Sequence, residues 1–196
     1  MSLAARFLLA LALLVAAVPA SAQDDEAILL VAHPQFRDID YRQAVLLAAP
    51  APNGGHVGVI LNRPTPLKLS QFLTDEFQTE NYKESIFFGG PVMRQALVSL
   101  FRSETAPKAA AFHVLKDVYL TMHPDNIESL LKDAKAHYRI YAGFSGWAPR
   151  QLESEVMRDG WYFLQADEAT VFRDSADGLW EELLERAQRA DPRGRS

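Results

Sequence analysis

Hydrophobic residues follow two rhythms along this chain. In the first, short apolar runs stand between polar or turn-forming stretches: Ala27–Ala32, Gln43–Ala48, Val57–Leu61, Ser85–Phe88, Ala96–Phe101, Ala111–Leu115, Val118–Met122, Tyr138–Ala142 and Trp161–Leu164. Runs this short, bounded by Gly, Pro, Asn or Asp, predict strands. The link Pro50-Ala-Pro-Asn-Gly-Gly55 is dense in residues that stop strands, and its brevity predicts that the second and third runs pair antiparallel. His33–Asp40 reads as a loop or a single helical turn, and residues 103–110 as a mobile loop.

In the second rhythm the apolar positions recur at helical spacing. Positions 69, 72, 73 and 77 form one such stripe. Pro124 stands where a helix would begin, with Ile127, Leu130, Leu131 and Ala134 continuing the pattern towards His137. A further helix covers about 149–158, and Leu179, Trp180, Leu183, Leu184 and Ala187 mark the inner face of a last one. Strands run together early and alternate with helices late. This order predicts an α+β fold, a mixed sheet with helices packed on it, in a single domain.

The first residues change the picture of where that domain resides. One cation, Arg6, precedes an apolar run from Phe7 to Val18, and Ala20-Ser21-Ala22 has the small residues of a cleavage site. The run stops at Pro19, short of the roughly 20 residues needed to span a bilayer. Residues 1–22 therefore read as a secretory signal peptide cut after Ala22, with the product periplasmic or secreted and without a membrane span. Removing them from the 196 residues leaves 174, a length that suits one domain at 23–190, and a polar tail at 191–196 that we expect to be disordered. With Arg6 gone the formal net charge moves from −5 to −6, which argues against nucleic acid as a partner. There is no cysteine, so disulfides, thiolate nucleophiles and cysteine-ligated metals are all excluded.

The densest chemistry lies in Tyr141-Ala-Gly-Phe-Ser-Gly-Trp-Ala-Pro-Arg-Gln-Leu-Glu-Ser-Glu155. A serine-hydrolase elbow requires Gly-x-Ser-x-Gly, and here Trp147 occupies the place of the last glycine. A helix start accounts for more of the stretch. With Pro149 as first helical residue, Ala148 is the N-cap, Gln151 reaches back to a free backbone N–H, and Trp147 staples onto Leu152. Gly143, Ser145 and Gly146 are then left for a tight turn. Glu153 and Glu155, two apart on a helix, face different directions and make no carboxylate pair.

A binding role is the other possibility. Asn62-Arg63-Pro64, Gly89-Gly90-Pro91 and Gly143–Gly146 each follow a predicted strand, where ligand crevices commonly form. If they converge, Asn62, Arg63, the amides near Gly89 and Gly90, and Ser145 would surround a small polar or anionic ligand, with Trp147 as an apolar wall. If they do not, the glycines and prolines merely shape turns and Arg63 is solvated. A hydrolase or transferase acting through Ser145 or Arg63 in that crevice is the enzymatic alternative. The five histidines show no metal-ligand spacing, and no phosphate loop or dinucleotide fingerprint is present, so no cofactor is implied.

Four segments together resemble one family: Tyr41-Arg-Gln-Ala-Val45, Gly55-His-Val-Gly-Val-Ile-Leu-Asn-Arg-Pro64, Phe88-Gly-Gly-Pro-Val92, and Tyr141-Ala-Gly through Gly146-Trp147 to Gln151-Leu-Glu-Ser-Glu155. In this order they are similar to the AlgH/YqgE family of bacterial proteins, over about Ile28 to Ala187. The resemblance implies a compact α+β fold whose sheet curls into an open, barrel-like form, and it implies no reaction. Members usually carry Glu-His where this chain has Ala49-Pro50, so no role of those residues carries over. Members also look cytosolic, whereas this chain opens with an export signal. The reading that results is a non-catalytic binding or interaction module of the periplasm, meeting a small polar or anionic ligand or an envelope protein.

Overall fold

A computed structural model describes residues 27–73, 82–158 and 160–190. The expected signal peptide, the far end of the expected helix beyond Leu73, and the expected tail lie outside these residues. The apolar runs form β1 (Ile28–Ala32), β2 (Val45–Pro50), β3 (His56–Ile60), β5 (Ser85–Phe88), β6 (Val92–Arg102), β7 (Phe112–Leu115), β8 (Val118–Thr121), β9 (Tyr138–Trp147) and β10 (Trp161–Gln165). One strand was not foreseen, β4 (Pro64–Lys68), which carries two prolines and pairs only with β5. Proline lacks the N–H that an interior strand must donate, so β4 is confined to an edge.

The helices are α1 (Pro124–Lys132), α2 (Gln151–Met157), the short α3 (Glu168–Val171) and α4 (Leu179–Ala190), and Leu69–Phe72 is a 3-10 turn. Pro124 does open α1, with His123 as N-cap accepting from the Asp125 N–H at 3.3 Å. The helix ends at Lys132 instead of reaching His137, because the chain turns at Asp133, whose carbonyl takes the Ala136 N–H.

Ten strands make one sheet in the order β10-β1-β2-β3-β9-β6-β8-β7, with β5 branching from β9 and β4 pairing on β5. Pairing is antiparallel throughout except between β5 and β9. β1, β2 and β3 are buried on both faces, which is why they read as continuous apolar runs and not as alternations. Leu29, Val31, Leu47 and Val59 point to one side, where Leu179, Leu183 and Ala187 of α4 cover them. Leu30, Leu46 and Ile60 point to the other, against Leu152 of α2, Trp147 and Trp161. The sheet curls far enough for the Ala27 N–H to donate to the Val114 carbonyl at 3.0 Å, but β10 and β7 do not pair and the sheet is not closed.

Candidate functional site

β9 runs on to Trp147, through residues that sequence reasoning assigned to a tight turn. Its one edge serves two partners in succession. β5 pairs with it at Tyr141 and Ala142, and β3 takes over at Ser145, Gly146 and Trp147. Gly89 and Gly90 fill the handover: the Gly89 N–H donates to the Ala142 carbonyl at 2.9 Å, and the Gly89 carbonyl accepts from Ile60 at 3.0 Å. Main chain rests on main chain here. A Cβ on Gly90 would stand 2.3 Å from the Ser145 Oγ and 2.4 Å from the Phe144 carbonyl oxygen. Gly143, at φ +70°, adopts a backbone that favours glycine and closes on the Gly90 carbonyl.

Gly89, Gly90 and Ser145 are thus brought together, in a joint with no opening between them. Ser145 is 0 % exposed and its hydroxyl donates to the Gly89 carbonyl at 3.3 Å. Beside it lies the Tyr41 phenol, which burial pushes above its ordinary pKa, the Ser145 hydroxyl countering this only in part. Among the described residues no histidine or carboxylate hydrogen-bonds to Ser145.

Trp147 is 5 % exposed and shares a core with Leu152, as the staple requires. The Gln151 side chain accepts the Ala148 N–H at 3.0 Å, the expected reach-back. The helix itself starts later than expected. Its N-cap is Arg150, at φ +64°, because residues 148–151 form a separate turn closed by Gln151 N–H to the Ala148 carbonyl.

Glu155 organises this corner, and sequence reasoning missed it. Its Oε2 accepts from the indole N–H groups of Trp147 (3.1 Å) and Trp161 (2.9 Å), and its Oε1 from Gln151 at 3.0 Å. The signal was a carboxylate on the helix between two tryptophan-bearing strands. It becomes readable only once β9 is known to extend to Trp147.

Asn62 and Arg63 converge on a different element, the loop from Ile39 to Gln43. The Asn62 side chain accepts from the Val45 N–H at 2.8 Å and donates to the Gln43 carbonyl at 2.9 Å. Arg63 Nη1 donates to the carbonyls of Ile39 (3.2 Å) and Asp40 (2.8 Å), and Nη2 to that of Arg42 (2.8 Å). These bonds hold Gln43 at φ +56°, a conformation costly for a residue with a side chain. Their backbone adjoins the glycine joint, since the Arg63 carbonyl accepts the Phe88 N–H at 2.8 Å, but their side chains turn to the 39–45 segment, beside a cleft of about 510 Å³ walled by Trp180 and Glu181 of α4.

A larger cleft of about 850 Å³ lies between β5, β9 and the end of α1. Several of its polar groups are engaged within the protein. Tyr138 donates to Glu84 at 3.1 Å, Tyr82 to the Leu131 carbonyl at 2.7 Å, and Arg139 to the carbonyls of Val171 and Arg173. Among the described residues no group of three or more His, Asp or Glu side chains could hold a metal ion, and no helix is long and apolar enough to cross a membrane.

Comparison with known proteins places this architecture. A UPF0301 protein of Streptomyces avermitilis is 33% identical over 165 residues, covering 81% of this chain and 84% of that one. A UPF0301 protein of Mycobacteroides abscessus is 30% identical over 165 residues, covering 81% and 77%. The solution structure of the AlgH protein from Pseudomonas aeruginosa superposes with a TM-score of 0.68 at 21% identity, over 85% of this chain and 90% of that one. A crystal structure from Corynebacterium diphtheriae gives 0.62 at 19%, over 83% and 86%. Residues 29–190 match the family described as DUF179, AlgH-like, and the chain belongs to that family.

Proposed function

We propose that this protein is a non-catalytic binding module acting in the periplasm after export. The observation that carries the reading is the environment of Ser145. Its proton is directed at a backbone carbonyl, and its other neighbour is a phenol held in the neutral form, so neither group can take a proton from it. Main-chain packing of Gly90 against Ser145 also leaves no space for a substrate carbonyl beside the hydroxyl. Polar groups do reach solvent at the Asn62–Arg63 corner, where a cleft is present.

Labelling with a fluorophosphonate probe and turnover of generic esters test the proposal, comparing wild type with Ser145→Ala. No labelling and no turnover in either protein is the expected result. Labelling that disappears in Ser145→Ala would reject the non-catalytic reading. The export element is tested separately, by fractionating cells that express the full chain and sequencing the N-terminus of the product. A periplasmic product beginning at Gln23 supports it, and a cytosolic one that retains residues 1–22 rejects it.

A further inference from the structure

We infer that the cleft beside Arg63 is an oxyanion site, built for the phosphate group of a small soluble molecule and formed by Arg63 and Arg42. This inference rests on the binding reading and gives it a location and a ligand chemistry.

The argument begins with the donors on Arg63. A guanidinium has five N–H groups. Nη1 directs both of its hydrogens to carbonyls of the 39–43 loop and Nη2 directs one. Nε–H and one hydrogen of Nη2 remain, and no other hydrogen bond or ion pair engages them within the described residues. A charged fork is thereby fixed in orientation by three bonds on one edge and left available on the other. Such preorganised donors lose little conformational entropy when a ligand arrives.

The second cation stands close by. Arg42 is exposed, its side chain has no hydrogen-bond or ion-pair partner among the described residues, and its charge helps hold the Arg63 guanidinium below its usual pKa, after the larger effect of burial. Asp40 acts in the opposite direction and more strongly than Arg42, while its carboxylate is also paired with Arg94 at 2.7 Å. Two neighbouring guanidiniums repel each other, and a dianion between them reverses the sign of that interaction. Gln43 and Asn62 line the same cleft, and among the described residues the Gln43 amide side chain forms no hydrogen bond. Arg63 Nη2 holds the Arg42 carbonyl at 2.8 Å, and the positive-φ residue Gln43 follows directly.

Charge also indicates the source of the phosphate. Glu181 stands on the rim of the cleft, and the chain is acidic overall. An acidic surface is repelled by an anionic bilayer, whereas a small molecule enters without bringing that surface along.

The test is calorimetric titration at constant ionic strength with inorganic phosphate, phenyl phosphate and acetate, together with the ¹⁵N–¹H signal of Arg63 Nε. Saturable phosphate binding with a Kd of about 1 mM is expected, with acetate weaker. The Arg63 Nε signal should move with occupancy. Arg42→Gln should weaken phosphate by about tenfold or more, the loss of one charge-assisted contact, while its melting temperature stays unchanged. Arg150→Gln, remote from the cleft, should bind as wild type does. The inference is overturned if wild type shows no saturable binding, if Arg42→Gln binds equally well, or if the protein sediments with vesicles containing phosphatidylglycerol but ignores phosphate. None of these outcomes depends on Ser145, so failure here leaves the fluorophosphonate result standing, and turnover there would not mimic it.

Discussion

Glu155, on α2, and Arg63, between β3 and β4, are both partly buried charged side chains, yet their surroundings treat them differently. Three side-chain donors from α2 and the flanking strands converge on Glu155, two of them indole N–H groups. Arg63 faces three backbone carbonyls on one edge and the cleft on the other, with a second arginine alongside that has no side-chain partner among the described residues. Where partners come from several elements of the fold, a charge ties those elements together. Where partners lie on one side only, the same kind of group is oriented without being neutralised, and that residue of unmet bonding is what a ligand can use. The expected effects of mutation separate accordingly, with the largest at the Glu155 corner.

Trp147→Ala should have the greatest cost, about 3–5 kcal/mol in urea denaturation, through loss of a large buried ring and one bond to Glu155. The same change should leave phosphate affinity at Arg63 within about twofold, since sites without shared partners behave additively. An unchanged midpoint would show that the indole does not staple β9 to α2. Glu155→Ala comes next, at about 2–4 kcal/mol, because two indole N–H groups lose their acceptor at once. Glu155→Gln keeps one acceptor oxygen and should recover a good part of this. If both variants melt with wild type, the carboxylate is an onlooker and the contrast with Arg63 collapses.

Gly90→Ala should cost about 1–3 kcal/mol, as the added methyl must displace the backbone at Phe144 and the Ser145 hydroxyl. Intrinsic fluorescence during unfolding would measure it. A neutral result would mean that β5 and β3 can separate along β9 without loss, contrary to the close packing of the joint.

How much of this was readable beforehand differs between the same two regions. The apolar runs located β1, β2 and β3 because these strands are buried and their composition reflects it. Trp147, Gln151 and Leu152 announced a helix start because capping and stapling act within a few residues. β9 was cut short at Ala142 because Gly143 and Gly146 carry the composition of a turn. They remain in a strand because β3 and β6 supply partners far away in sequence. β4 was missed for a related reason, since an edge strand with two prolines has no apolar alternation to detect. Asn62 and Arg63 stand out in the sequence as polar residues after a strand, but what their side chains grasp, the carbonyls of residues 39–43, lies about twenty positions upstream and has no sequence signature.

Tyr41 joins the two regions, and its removal should give the smallest of these effects. Its ring meets Trp161 at 5.6 Å between centroids, its hydroxyl lies beside Ser145, and its backbone belongs to the loop that Arg63 holds. Burial raises the phenol above its ordinary value near 10, with Asp38, Glu155 and Asp40 adding to the shift. A group with a raised folded-state pKa contributes stability that is complete below its unfolded value and is lost as pH climbs through the folded one. Wild type should therefore lose stability above pH 10, and Tyr41→Phe should show less of that loss. Some must persist in the variant, since the fully buried Tyr141 phenol is pushed up to about 12 mainly by burial, with Arg139 opposing the shift. At neutral pH Tyr41→Phe should cost only about 1 kcal/mol, the net worth of a single hydrogen bond. Melting curves from pH 7 to 11 on both proteins decide the matter. Identical slopes above pH 10 would show that the phenol ionises freely, and a phenolate formed that readily beside Ser145 would supply the base that the non-catalytic reading denies it.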